Sequence, residues 1–255
     1  MSSSYKLVKP LLILFLVVYF LHLVISRAPA ELAAAAMHKA VPNLWLTGVE
    51  GTVWKGTANA AQIDLPDSPL PLGALNWHLS GWSLLTLSPC VTFDAGRTAL
   101  LFSGRVCHSI TGTSTLEDIS LETSVAPLSE LISVPVAGMG SVTIKRATIK
   151  DSKIERMEAQ VSWQNGSVKP MEAWLNVGTY GASVLENSSG GVSAQIFQVD
   201  APLEVQLVAS WSNDQDWSVD GTVKPLDETP QLIKDGIPLI GEEFEPGNYR
   251  IHLEP

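Results

Sequence analysis

Past Pro42, apolar and polar residues alternate with a period of two over several short stretches. The clearest stretch is 157–163, and the same pattern runs through 75–79, 203–211 and 249–253. Neighbouring side chains of a strand point to opposite faces, so this alternation indicates antiparallel strands packed on one side. The pattern predicts a mainly β body, an antiparallel sheet arranged as a groove, a sandwich or a roll, with a few short helices.

Three local signals interrupt the alternation. Asn165-Gly166 follows an alternating stretch and permits the positive φ angles of a tight turn, so it predicts a hairpin. Segments 127–132 and 230–235 each open with proline and fit one or two helical turns. Each is followed by a Pro, a Gly and a strand pattern, which marks corresponding points of two halves.

These corresponding points are offset by roughly 100 residues along the chain. The offset favours two degenerate repeats, 44–145 and 153–255, within one β domain spanning 43–255. A single domain without internal repetition is the alternative.

The chain begins with a long apolar segment. Residues 11–25 are interrupted only by His22, and residues 7–26 give about twenty residues, enough for a hydrocarbon core of about 30 Å. Lys6 and Lys9 flank its start, which predicts a cytoplasmic tail over 1–6, a transmembrane anchor over 7–26 and the remaining chain across the membrane. A cleaved signal peptide ending near Ala28-Pro29-Ala30 is the alternative, and it places the body on the same side.

A short helix is expected directly after this segment, within 27–42. Its alanine run is preceded by Pro29 and followed by Pro42, with Glu31 in the first turn and Lys39 in the last. These charges complement the helix dipole. The sequence therefore predicts a juxtamembrane helix.

Charge narrows the set of partners. The formal net charge is −10, with 26 acidic and 16 basic residues, and Lys6, Lys9 and Arg27 lie around the apolar segment. The body is therefore more acidic still. Such a body repels phosphate backbones, so no nucleic-acid partner is expected.

Cys90 and Cys107 are the only cysteines. They have no spacing typical of a zinc site, and in an oxidising compartment they would close a short loop. A disulfide between them is the favoured interpretation, and two separate thiols are the alternative.

No catalytic, cofactor-binding or metal-binding constellation is found, so the chain is not expected to be an enzyme. The most distinctive sequence motif is a glycine-rich segment containing Gly48, Gly51, Trp54 and Gly56. It forms neither a dinucleotide nor a phosphate loop. We interpret it as a structural strand with bulges, in which Trp54 packs on one sheet face.

One segment is similar to the opening of type II secretion system protein N. It reads Leu46-Thr47-Gly48-Val49-Glu50-Gly51-Thr52-Val53-Trp54-Lys55-Gly56-Thr57-Ala58. Downstream, 72–77, Pro135-Val136 and Val161-Ser162-Trp163 resemble the same family in the same order. The resemblance implies an accessory component of the type II secretion machinery, which exports folded proteins across the outer membrane. It also implies a Gram-negative inner-membrane location with a periplasmic body, and other secretion components as partners.

A different function remains open beside this one. An inner-membrane-tethered β-groove protein that transfers lipid or maintains the envelope would also carry an apolar sheet face.

Overall fold

The computed structural model describes residues 4–64, 69–97, 100–129, 134–151, 153–188, 190–212 and 216–255. Four helices lie within these ranges: α1 (Ser4–Ser26), α2 (Ala30–Ala40), α3 (Gly81–Leu85) and α4 (Gln231–Gly236). Single 3-10 turns cover Ala126–Leu128 and Ile237–Leu239. The helices are thus few, and only α1 and α2 exceed two turns.

Strands make up most of the remaining chain. They are β1 (Leu44–Gly51), β2 (Lys55–Asp64), β3 (Pro69–Leu79), β4 (Cys90–Arg97), β5 (Leu100–His108), β6 (Thr113–Ser124), β7 (Val136–Lys150), β8 (Lys153–Val168), β9 (Leu175–Glu186), β10 (Val192–Asp200), β11 (Leu203–Trp211), β12 (Trp217–Pro225), β13 (Gly241–Glu245) and β14 (Asn248–Leu253).

All 14 strands belong to one antiparallel sheet. From β1 to β12 each strand pairs with the next one in the chain, and the last two are reversed, in the order β12-β14-β13. The mainly β prediction is confirmed, and the single sheet excludes the two-sheet sandwich. The alternation of 75–79, 157–163, 203–211 and 249–253 falls on β3, β8, β11 and β14.

One face of this sheet carries an uninterrupted apolar row. Following the register from strand to strand gives one residue per strand: Val49, Ala58, Leu75, Ala95, Phe102, Leu121, Val142, Val161, Ala182, Ile196, Leu207, Gly221, Ile251 and Gly241. None of these side chains is polar. Because register partners share a face, the two-residue period of each strand produces one continuous apolar surface.

Helices cover the two ends of this face. At the first end Ala30, Ala33 and Met37 of α2 pack on a cluster from β2 to β5 that includes Leu75 and Trp77. At the other end Ile233 and Ile237 pack on Val205, Val223 and Ile251.

No helix of the described residues packs on the middle of the apolar face. Val142, Val161 and Ala182 belong to neither cluster, and Val161 is exposed, whereas Ile119 and Ala159 nearby are buried. In the described part of the chain, helices therefore pack on the two ends of the apolar face.

Two local predictions need correction. Asn165-Gly166 does not form a hairpin turn, because β8 continues to Val168. Asn165 does adopt a positive φ of 50°, but it lies at a break in the β8–β9 register, which makes it a bulge.

The two predicted helical segments have different outcomes. The segment 230–235 is confirmed by α4. In the segment 127–132, the 3-10 turn Ala126–Leu128 and the helical residue Ser129 are observed, and 130–133 lie outside the described residues.

Candidate functional site: the turn that joins the first helix to the sheet

The glycine-rich segment forms a hairpin rather than one strand. β1 ends at Gly51 and β2 begins at Lys55, so Trp54 lies in the turn between them. The prediction of a continuous strand with Trp54 on one sheet face is therefore wrong. Gly51 allows the reversal with a φ of 99°, a value that residues with a Cβ rarely adopt.

The other two glycines of the motif fit close approaches inside the sheet. Gly48 has a φ of 63° and faces Asn59 of β2, where a side chain at position 48 would collide with Asn59. Gly56 lies against the indole of Trp77, and any Cβ at position 56 would enter that ring. The glycines thus let β1, β2 and β3 meet around Trp77.

Trp77 of β3 holds the turn through a hydrogen bond. Its side chain is 2% exposed, and its Nε1 donates a hydrogen bond to the carbonyl oxygen of Val53 at 3.3 Å. The backbone N–H of Leu79 donates to the Trp54 carbonyl at 2.8 Å. Because these bonds come from β3, the turn is held on a fixed part of the sheet.

The same turn holds the end of the first helix. Trp54 Nε1 donates to the carbonyl oxygen of Ile25 at 2.8 Å, and the Val53 N–H donates to Ala28 at 2.9 Å. Pro29 forms an isolated antiparallel bridge with Thr52. The carbonyl groups at a helix end have no partner within the helix. The Ile25 carbonyl also accepts a hydrogen bond from the Ala28 N–H at 3.3 Å, so Trp54 gives it a second donor, and Val53 supplies a donor to the Ala28 carbonyl just beyond the helix.

Beyond this junction, α2 folds back onto the sheet. Ala30 is fully buried in the first core cluster, and the Nδ1 atom of His38 lies 2.9 Å from the carbonyl oxygen of Leu44. The His38 ring also packs on Trp45, with ring centroids 4.9 Å apart. The segment from Ile25 to Leu44 is therefore attached to the sheet at both ends.

Cys90 and Cys107 face each other at the start of β4 and the end of β5. They are register partners with Cα atoms 4.0 Å apart, and a disulfide joins their sulfur atoms. This pair lies at the base of the α3 loop and of the β5–β6 loop.

Among the described residues, three ionisable groups have shifted pKa values, and each shift has a local cause. Burial raises the pKa of Tyr180 on β9. Hydrogen bonds from backbone N–H groups, that of Met157 first, lower the pKa of Glu186 at the end of β9. The hydrogen bond to Asp220 and the charges of Asp220 and Glu254 raise the pKa of His252 on β14. The Glu186 and His252 hydrogen bonds each join two neighbouring strands, β8 to β9 and β12 to β14.

Sequence reasoning found the motif but missed its partners Ile25, Ala28 and Pro29. A signal was present in the sequence, since Trp54 lies among glycines and a Trp N–H requires an acceptor when it is removed from water.

Of the helices within the described ranges, none combines the length and the apolarity needed for a membrane crossing.

Comparison with known proteins identifies the family. The profile of "Type II secretion system (T2SS), protein N" matches residues 42–252. A protein named "Type II secretion system protein N" from Aeromonas hydrophila is 25% identical over 248 residues, which cover 94% of this chain and 95% of the relative. One of the same name from Vibrio cholerae is 25% identical over 233 residues, covering 89% and 90%.

No solved structure matches this chain significantly. The profile match begins at Pro42 and runs to His252, so it covers the sheet from β1 almost to the end of β14. The chain belongs to the type II secretion system protein N family.

Proposed function

We propose that this chain is a non-catalytic accessory subunit of the type II secretion machinery, tethered to the inner membrane with its sheet in the periplasm. The observation that carries the proposal is the family match across the whole sheet. The type II machinery exports folded proteins, so its envelope components require stable periplasmic surfaces on which other subunits assemble. A 14-stranded sheet joined directly to an N-terminal apolar helix suits that task.

Residues 7–26 are the proposed anchor. Every side chain from Leu12 to Phe20 is exposed, and all nine are apolar or tyrosine. In water such a surface is unfavourable by about 25 cal/mol for each Å² of apolar area, whereas a hydrocarbon core removes that cost. Lys6 and Lys9 place the short tail 1–6 on the cytoplasmic side under the positive-inside rule.

The two edges of the sheet differ in how they discourage extra strands. β13 has five residues, three of them glutamates, and a register irregularity between Glu243 and Glu245. β1 has eight residues and Glu50 as its single charge. Short, charged and bulged edges resist pairing, so the β1 edge is the proposed docking edge for another secretion component.

Site-specific photo-crosslinking in cells tests this assignment. A photoreactive residue at Thr47 of β1 should yield an adduct with another component of the machinery. The same probe at Glu243 of β13 is the matched control and should not. Adducts from Glu243 alone would contradict the assignment of the docking edge.

Deletion of the gene, with complementation, tests the function. The deletion strain should accumulate folded exported proteins in the periplasm, and the intact gene should restore their release. Unchanged export in the deletion strain would overturn the proposal. Carbonate washing tests the anchor separately: the full-length chain should stay with membranes, and a soluble product beginning near Glu31 would favour a cleaved signal.

The exposed Val161 at the centre of the apolar row favours a second candidate function, transfer of lipid within the envelope. Acyl chains would lie along Val142, Val161 and Ala182, where no helix of the described residues packs on the sheet. Native mass spectrometry of the purified chain distinguishes the two functions. Bound phospholipid, together with normal protein export in the deletion strain, would favour lipid transfer.

A further inference from the structure

The strands alternate in direction, so successive loops fall on opposite long sides of the sheet. The β1–β2 turn, the loop containing α3 and the β5–β6 loop lie on the same side. This is also the side on which α1 ends, because Trp54 in the β1–β2 turn bonds to Ile25.

Two loops on this side expose large apolar side chains. In the α3 loop Trp82 is 81% exposed, Leu85 74% and Leu87 57%, and in the β5–β6 loop Ile110 is 71% exposed. Residues 80–89 contain no charged side chain, although acids outnumber bases 26 to 16 in the whole chain. These four residues are called the apolar tip below.

The apolar tip has a fixed shape. The buried Ser83 accepts a hydrogen bond from the Cys90 N–H at 2.8 Å and donates one to the Ser80 carbonyl at 2.6 Å, so its neighbours Trp82 and Leu84 point outward. The Ile110 N–H donates to the Leu87 carbonyl at 3.1 Å, and the Cys90–Cys107 disulfide closes the base of both loops.

Leu87 adopts a backbone conformation that is energetically unfavourable for a residue with a side chain. Its φ is 54°, in the left-handed region where glycine or asparagine is usual and a branched apolar residue is rare. A loop with no role beyond reversing the chain would favour glycine there. An exposed leucine at this strained position points to a contact outside the chain itself.

The apolar tip lies next to the end of α1. A Cβ on Gly81, the residue before Trp82, would be 4.0 Å from the Trp54 ring, and Trp54 is bonded to Ile25. The apolar surface of α1 and that of the tip are therefore joined through one indole.

We propose that the apolar tip inserts into the lipid interface beside α1 and gives the periplasmic sheet a second membrane contact. The inference rests on the proposed anchoring of α1. Tryptophan is favoured at this depth because its ring is apolar and its N–H can reach water or headgroups, and leucine and isoleucine fill the adjoining acyl region. A lipid surface fits better than a basic or acidic protein partner, since the α3 loop offers no charge to pair.

Quenching of tryptophan fluorescence by brominated lipid tests the contact. The full-length chain is reconstituted in nanodiscs of phosphatidylcholine with or without bromine on the acyl chains. The emission of Trp82 is taken as the difference between the unsubstituted chain and Trp82→Phe. Trp174→Phe is the matched control, because Trp174 is 51% exposed and lies on the opposite long side, before β9.

Brominated lipid should remove the Trp82 emission and leave the Trp174 emission unchanged. If the chain stays in the nanodisc but both emissions persist, the tip does not touch lipid and the inference fails while the anchor stands. A second result would also overturn the inference in favour of a protein partner: Trp82 becomes shielded from water only after other secretion components are added. A chain that does not remain in nanodiscs would overturn the anchor and this inference together.

Discussion

Single tryptophans around the β1–β2 turn differ in burial, and their substitutions should differ accordingly. Trp77 is almost fully buried, so Trp77→Ala should lower the free energy of unfolding by about 3–5 kcal/mol. Trp54 is half-buried, and Trp54→Ala should cost about 2 kcal/mol. Urea unfolding of the detergent-solubilised chain, followed by circular dichroism, measures both.

Trp174→Ala serves as the control for these two variants. Its side chain is exposed and has a change expected within about 0.5 kcal/mol. Equal losses for Trp54 and Trp77 would contradict the placement of Trp54 in the turn.

The glycines permit a second comparison between single residues. Gly51→Ala combines a positive φ with a Cβ 2.6 Å from the Lys55 carbonyl oxygen. Gly112→Ala has a similar φ of 83° but nothing within 4 Å. We expect about 1 kcal/mol for Gly112→Ala, from backbone strain alone, and clearly more for Gly51→Ala. Thermal midpoints of the two purified variants test this, and a smaller shift for Gly51→Ala would contradict the collision.

At the scale of elements, the Cys90–Cys107 pair joins β4 to β5. In chain isolated from the envelope, intact mass under non-reducing conditions should show no alkylatable thiol. The double variant Cys90→Ser/Cys107→Ser should lose about 3 kcal/mol, the value of the chain-entropy model for a loop of this length. Two alkylated cysteines in the isolated protein would show that the disulfide does not form in cells.

The pairing of β14 with β12 should depend on pH through His252 and Asp220. The raised pKa of His252 means that this side chain binds its proton more tightly in the folded chain than in the unfolded one. The resulting stabilisation is complete below the ordinary histidine value of about 6.5 and is lost as pH rises through the folded pKa. NMR titration of His252 should show the raised pKa, and Asp220→Asn should return it toward the ordinary value. An unchanged titration in Asp220→Asn would assign the shift to another group.

An element could be predicted from the sequence where the residues that determine it lie within the element itself. The alternation in 157–163 required only its own residues, so β8 could be predicted. Asn165 supplied its positive φ as expected, but a bulge and a hairpin turn both use that conformation. Only the pairing of the following residues with β9 separates the two, and the sequence near Asn165 does not contain it.

The same distinction explains the outcome for the glycine-rich segment. Thr52-Val53-Trp54 has strand-forming residues, which masked the turn. The turn is closed locally, because the Thr52 N–H donates to the Lys55 carbonyl oxygen at 2.9 Å and the Lys55 N–H donates to Thr52 Oγ1 at 3.2 Å. The bonds that hold this turn in place come from β3 and reach the end of α1, both distant in sequence. The interpretation of the sequence as two repeats stays a prediction.

For the whole molecule, alternation along each strand indicated one apolar face but not what lies on it. A second sheet, helices or an open groove would all produce the same pattern. In the described part of the chain, helices pack on both ends of the face and none packs on its centre. Covering depends on where α2 and α4 pack, which a two-residue period does not encode.

The strand order has a consequence for how such a chain folds. Up to β12 every strand pairs with its immediate predecessor, so no early strand waits for a late one. Mean sequence separation between contacting residues is therefore low for an all-β protein, which favours fast folding. Each hairpin can close as soon as its second strand is available. The sheet can then grow one strand at a time from β1, and only β13 must wait for a later strand, because it pairs with β14 alone.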